Sequence, residues 1–169
     1  MTAYSRETIR DLVAGQLPWR QTTRIMSAYK DEDRFWKDLA VLQERVPWPD
    51  RILLPVGDHL FIAEGAEGRV TRCECGHSFG DWRRNWKLSA AIIVRDTEES
   101  LREIYPNSDL PDPAWMEIRE FLCSSCGTLH EVEAAAPGYP VVHDFKPDLD
   151  GLYRDWLGCP LPDEGRPGE

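Results

Sequence analysis

Residues 117–134 read E-I-R-E-F-L-C-S-S-C-G-T-L-H-E-V-E-A, and this stretch decides the fold. Polar and apolar side chains alternate on both sides of Cys123 and Cys126, so Glu117 to Leu122 and Leu129 to Ala134 predict two strands. Gly127 follows the second cysteine directly. This is the form of a metal knuckle: the chain turns tightly after the second thiolate, and glycine relieves the crowding and can take positive φ. The pattern recurs upstream in R-C-E-C-G-H (72–77), with Cys73, Cys75 and Gly76. Two knuckles offer four soft sulfur ligands, Cys73, Cys75, Cys123 and Cys126, which suit a tetrahedral zinc. Four thiolates leave no open position for water or substrate, so such a zinc is structural. The pairs are separated by 47 residues (76–122), long for a compact ribbon, so an insertion lies between them.

Other uses of the cysteines fit less well. A redox Cys-x-x-Cys opens a helix, whose N-terminus lowers the thiol pKa. Here Cys126 leads into G-T-L-H-E-V-E, a strand pattern. A disulfide framework is disfavoured by the odd count of 5 cysteines and by a length of 169 residues that needs no stapling. Plain buried thiols are the remaining alternative. Cys159, in G-C-P-L-P, reads as a free thiol outside the site. His77, two residues after Cys75, can either replace a cysteine or hydrogen-bond a sulfur from outside, and His130 is a candidate for the second role.

Charge narrows the function classes. The formal net charge is −10, and no basic run is longer than Arg83-Arg84. Phosphate backbones need clustered Lys and Arg, so nucleic acid is not an expected partner. The longest apolar run, Ala90 to Val94, is too short to span a bilayer, and the first residues lack the apolar core of a secretory signal. With reduced metal-binding cysteines, this predicts a soluble cytoplasmic chain without a membrane partner. The 7 tryptophans are spread along the sequence; core packing is their default, although tryptophan is also enriched at interface anchors.

The expected fold class is α+β: N-terminal helices, a zinc-ribbon-like antiparallel β core and an extended C-terminal arm. The regions run over 1–50, 51–136 and 137–169, with no linker long enough to require separate domains. Ser5 caps a helix from Arg6 to Ala14, stopped by Gly15. A second helix spans Trp19 to Ala28. A third starts at Asp31 and carries Phe35, Leu39, Leu42 and Val46 on one apolar stripe, with Pro47 and Pro49 preventing continuation. Strands follow at Arg51–Val56 and His59–Ala63 around a Gly57-Asp58 turn, then at Gly68–Cys73 and Leu88–Arg95. Asp96-Thr97-Glu98-Glu99 offers a capping box for a helix ending near Tyr105. After Ala135 the chain is mostly irregular until Asp148 caps a last amphipathic turn bearing Tyr153 and Trp156. The tail from Cys159 onward is expected to be disordered or laid on a partner.

Several chemistries have no motif here. There is no G-x-x-x-x-G-K-[ST] phosphate loop, no G-x-G-x-x-G fingerprint, no G-x-S-x-G elbow and no H-E-x-x-H. No catalytic or nucleotide-binding residue is assigned. Asp81 with W-R-R-N-W-K reads as a solvated turn packed by two tryptophans. His143-Asp144 is a poor acid–base pair, because neighbours on an extended arm point apart.

One ordered series then stands out. It runs C-E-C-G-H (73–77), D-W-x-x-N-W-K-L-S-A (81–90), V-R-D-T (94–97), E-I-Y-P (103–106), I-R-E-F-x-C-x-x-C-G-T-L-H (118–130), P-V-x-H-D-F-x-P-D (140–148) and W-L-G-x-P (156–160). This series resembles the small γ subunit of bacterial acetone carboxylase, over nearly the whole chain from Ile9 to Trp156. The resemblance implies a subunit of a heterohexamer with two copies each of α, β and γ. Such an enzyme carboxylates acetone with bicarbonate to acetoacetate, using ATP. The large α and β subunits carry the ATP and Mn2+ sites, and the small subunit carries Zn2+. Related ketone carboxylases, such as the acetophenone enzyme, are similar enough that the ketone stays open.

Three readings follow from this. The first is a zinc-stabilised, non-catalytic subunit of a ketone carboxylase. The second is a stand-alone zinc-ribbon interaction module. The third is a small zinc enzyme, which requires one cysteine to leave the metal to water. For the C-terminal arm, the first reading predicts docking on a large subunit, with Tyr153 and Trp156 as anchors. The competing expectation is that the arm wraps back onto its own ribbon.

Overall fold

In the computed structural model, which describes residues 4–28, 31–66 and 68–161, three helices lead into two antiparallel sheets. Helix α1 (Arg6–Val13) begins where the Ser5 hydroxyl accepts a hydrogen bond from the Thr8 amide at 3.1 Å. Helix α2 (Trp19–Ser27) starts after Pro18. Helix α3 (Arg34–Arg45) starts three residues later than its acidic run suggests. Asp31 is drawn aside by Arg34 at 2.6 Å and Lys37 at 3.1 Å, so it anchors the approach to the helix instead of its first turn.

The first sheet has the order β1 (Arg51–Gly57), β2 (Leu60–Gly65), β3 (Gly68–Cys73) and β4 (Ser78–Asp81). The β1–β2 turn falls on Asp58-His59, one residue beyond the expected Gly57-Asp58. His59 takes the left-handed conformation at φ 60°, and its ring meets the Glu74 carboxylate. Both faces of this sheet are covered. On one, Leu39, Val46 and Trp48 close over Ile52, Phe61 and Ala63, with Phe35 and Leu42 at the edge of the cluster, so the stripe of α3 faces the sheet as its spacing requires. On the other, Leu53 and Ile62 meet Leu149 and Tyr153 from the C-terminal end.

The insertion between the knuckles begins with β4 and a 3-10 turn over Trp86–Ser89, capped by Asn85. That turn shortens the next strand, β5, to Ala91–Arg95. Thr97 then caps α4 (Glu98–Ile104) in a reciprocal box whose partner is Ser100 rather than an acidic residue. Strands β6 (Glu117–Leu122) and β7 (Leu129–Ala135) complete a second sheet of order β5-β6-β7. The two sheets meet in one cluster, where Leu60, Cys73 and Phe79 of the first touch Trp86, Phe121 and Cys123.

The C-terminal arm wraps back onto the chain. Asn85 donates to the Val141 carbonyl at 3.0 Å, and Arg119 to the Tyr139 carbonyl at 2.6 Å. Lys87, fully buried, reaches Asp144 of the arm at 3.1 Å together with Glu131 and Glu133 of β7. Burial alone would depress the Lys87 pKa, but the hydrogen bonds to Glu131 and Asp144 outweigh it and leave it raised. The arm ends in a short turn, α5 (Leu149–Gly151), whose cap is Asp148, and widens into a π-type turn over Leu152–Trp156 before Gly158 at φ 66°.

This corrects the role expected of Tyr153. Its ring is enclosed by Phe35 and Trp36, and its hydroxyl donates to the Leu53 carbonyl at 2.9 Å. A fully buried side chain with its polar end satisfied holds the arm to its own sheet and offers no surface to a partner. Trp156, three residues on, is 86% exposed. The expected tail lies outside the described residues from 162 onward, and no helix among the described residues is long and apolar enough to cross a membrane.

Candidate metal centre

The knuckles sit at the tips of two hairpins, one from each sheet: β3–β4 carries Cys73 and Cys75, and β6–β7 carries Cys123 and Cys126. Their closures match bond for bond. The Gly76 amide donates to the Cys73 carbonyl at 2.9 Å, and the Gly127 amide to the Cys123 carbonyl at 2.9 Å. The Cys73 amide donates to His77 at 2.9 Å, and the Cys123 amide to Thr128 at 2.8 Å. Both glycines take positive φ, 100° at Gly76 and 76° at Gly127, which is why each cysteine pair is followed by glycine. Trp48 braces the first knuckle from beneath. Its indole donates to the Glu74 carbonyl at 3.0 Å, and its ring lies where a Cβ on Gly76 would fall, at 3.2 Å.

The four sulfurs lie within 4.8 Å of one another. Across the knuckles, Cys73 to Cys126 and Cys75 to Cys123 are each 3.7 Å. A tetrahedral ion with bonds of about 2.3 Å to sulfur requires edges of about 3.8 Å. Four soft donors in a tetrahedron fit a metal ion and are compatible with Zn2+. None of the four is paired in a disulfide.

The sulfurs differ in surroundings. Burial pushes the Cys73 and Cys123 thiols up, opposed by the Cys75 amide at the first and by the Cys126 and Ser125 amides at the second. Cys126 is exposed, and the Thr128 hydroxyl, 3.1 Å from its sulfur, together with the Thr128 amide holds it down to about 6.

The neighbouring histidines do not enter the cluster. The His77 ring stands edge-on to Phe79 and its Nε2 lies 3.1 Å from the Ser124 hydroxyl, so it ties one knuckle to the other. His130 packs edge-on against Phe79 and Trp86 and makes no hydrogen bond to a sulfur. Burial lowers its pKa, only partly opposed by the Asp58 backbone. Thr128, Ser124 and Trp48 were not singled out from the sequence. The first two were legible as hydroxyls inside and just after a knuckle; Trp48 had no local signal. Cys159 packs at the margin of the Tyr153 cluster, apart from the four sulfurs.

Fold and site together define an α+β protein built on a zinc-ribbon-like pair of two-cysteine knuckles. Residues 46–157, which span both knuckles and most of the arm, match the acetone carboxylase gamma subunit family, and the chain belongs to that family. It is 50% identical over 163 residues to the acetone carboxylase gamma subunit of Xanthobacter autotrophicus, covering 95% of this chain and 97% of that protein. It is also 30% identical over 81 residues to the acetophenone carboxylase beta subunit of Aromatoleum aromaticum, covering 47% of this chain and 63% of that one.

Proposed function

We propose that this chain is the zinc-carrying, non-catalytic small subunit of an ATP-dependent acetone carboxylase, in which acetone and bicarbonate become acetoacetate. The observation that carries the metal role is the closed S4 geometry, with cross-knuckle distances of 3.7 Å. A site of that kind has no coordination position for a substrate, and its work is to weld two sheets together. The ligand set is Cys73, Cys75, Cys123 and Cys126. ATP and Mn2+ belong, on this reading, to the large α and β subunits, with the γ chain completing a heterohexamer in the cytoplasm. Acetone is favoured over an aromatic ketone by the higher identity and coverage of the acetone relative.

The test is co-expression with the large subunits, followed by metal analysis and assay of the complex and of the free chain. One zinc per chain, carboxylation by the complex and no ATP turnover by the free chain are expected. Iron in the site, or turnover by the free chain, would contradict the proposal.

A further inference from the structure

Strand β5 is an edge with apolar side chains on both faces. It pairs with β6 on one side, and among the described residues no strand pairs with it on the other. Ile92, Ile93 and Val94 are 37%, 43% and 42% exposed. The register separates them. Ile92 and Val94 lie opposite Phe121 and Arg119, on the face that Lys87 and the arm partly cover. Ile93 lies opposite Glu120, which lies opposite Val132, and this other face is exposed at Ile93, Val132 and Leu129, while Ile118 at its far end is buried. Edge strands usually carry charge or proline to deter pairing. A-I-I-V carries neither, and the strand's one charge, the closing Arg95, is turned into ion pairs with Glu120 and Glu103 of its own chain.

We infer that β5 is completed by an extended segment of a larger partner subunit, which adds a strand to the β5 edge and covers both faces beside it. This rests on the subunit reading above and names the surface through which assembly occurs. A helix laid on one face would cover Ile93 or the Ile92–Val94 pair, but not both. A strand continuing the sheet carries its own flanking layers and buries all three. Charge selects the partner. Just past β5 stand Asp96, Glu98 and Glu99, all exposed, whereas Arg95 is neutralised by Glu120 at 2.6 Å and by Glu103 at 2.5 Å. The occupant is therefore an apolar strand with Lys or Arg at the end facing Asp96. A second copy of this chain is disfavoured. Two chains of net charge −10 would meet, and Arg95, the one cation of the strand itself, is already held by Glu120 and Glu103.

The experiment uses the full chain co-expressed with the large subunits, with hydrogen exchange read on the free chain and on the complex. Amides of residues 91–95 should exchange roughly tenfold or more slowly in the complex, while those of β1–β3 change little. Ile93→Lys should keep the free chain folded and its metal content unchanged, because the side chain is already at the surface. Its retention on the large subunits should fall roughly thirtyfold, as for a central interface residue. The double variant Glu98→Lys/Glu99→Lys should lose less, and its association should depend less on salt. If the wild-type complex forms but β5 exchanges as fast as in the free chain and Ile93→Lys assembles normally, the inference is overturned and the subunit reading stands. If the free chain instead forms a dimer that Ile93→Lys abolishes, the named occupant is wrong. If wild-type chain does not associate with the large subunits at all, the subunit reading falls and takes this inference with it.

Discussion

Strands β2 and β5 carry similar apolar runs and meet opposite fates. Leu60-Phe61-Ile62-Ala63 is at most 3% exposed, clamped between α3 and the C-terminal turn. Ala91-Ile92-Ile93-Val94 stands at the edge of its sheet, with the three large side chains half-exposed. The first sheet finds both its covering layers within the chain; the second finds one and part of another. An apolar run records that a strand will be buried. It does not record whether the covering layer belongs to the same polypeptide.

Substitution into the two strands gives the sharpest contrast. Phe61→Ala removes a ring from between α3, Trp48 and the sheet and should cost about 3–5 kcal/mol in chemical denaturation of the free chain. Ile93→Ala should change the same transition by less than about 0.5 kcal/mol. Equal losses would mean that β5 is covered within the chain after all. Lys87→Met comes next. It strips the shared partner of Glu131, Glu133 and Asp144, and about 2–3 kcal/mol should be lost, because these carboxylates are partly solvated and need not stay buried unpaired.

The same latch has a pH signature. Asp144 is pushed upward by burial but held low overall by Lys87, so its contribution is present above the ordinary carboxylate pKa of about 3.9 and is lost as pH falls. The raised Lys87 contributes below the ordinary lysine pKa of about 10.4 and loses that contribution above its folded value. Hydrogen exchange along 139–146 should therefore show a constant opening energy from about pH 7.5 to 9, after correction for intrinsic rates; protection should weaken above that window, and below it first as His143, whose pKa burial lowers, and then Asp144 take up protons.

Smaller effects test the knuckles. Gly76→Ala strains a φ of 100° and pushes a methyl toward Trp48, whereas Gly127→Ala strains a φ of 76° in open space. Thermal denaturation should rank the first as the more costly, by about 1 kcal/mol. Trp156→Ala should leave the free chain within about 0.5 kcal/mol, because the ring lies at the surface, while weakening retention on the large subunits. Cys159→Ser should leave metal content unchanged.

Much of this was legible because local signals and tertiary need coincided. The bounds of β6, the Ser5 cap and both knuckle glycines follow from residues within a turn of one another, whereas the capping box expected over Asp96–Glu99 forms one residue later, between Thr97 and Ser100. The misplacements arise from contacts distant in sequence. Asp31 is held by two cations before α3, and Asn85 starts a 3-10 turn that consumes the first residues expected of β5. Tyr153 looked like an anchor for another protein because nothing nearby could bury it; its partners, Leu53, Phe35 and Trp36, lie about a hundred residues upstream. Lys87 was invisible for the same reason, its three carboxylates lying far along the chain. The four sulfurs were readable because each half of the site is local, and only their convergence had to be supplied by the fold.

The central claim is that one metal, held half by each sheet, joins a self-sufficient sheet to one that depends on it. Hydrogen exchange of the free chain before and after removal of the metal by a strong chelator tests it directly. The metal-linked stability lost is on the order of 10 kcal/mol in small zinc peptides, and here it should fall mainly on the second sheet. The result expected is fast exchange throughout β6 and β7, with protection of β1, β2 and the adjoining part of β3 retained. Equal protection of both sheets with and without metal, or loss of both together, would contradict it.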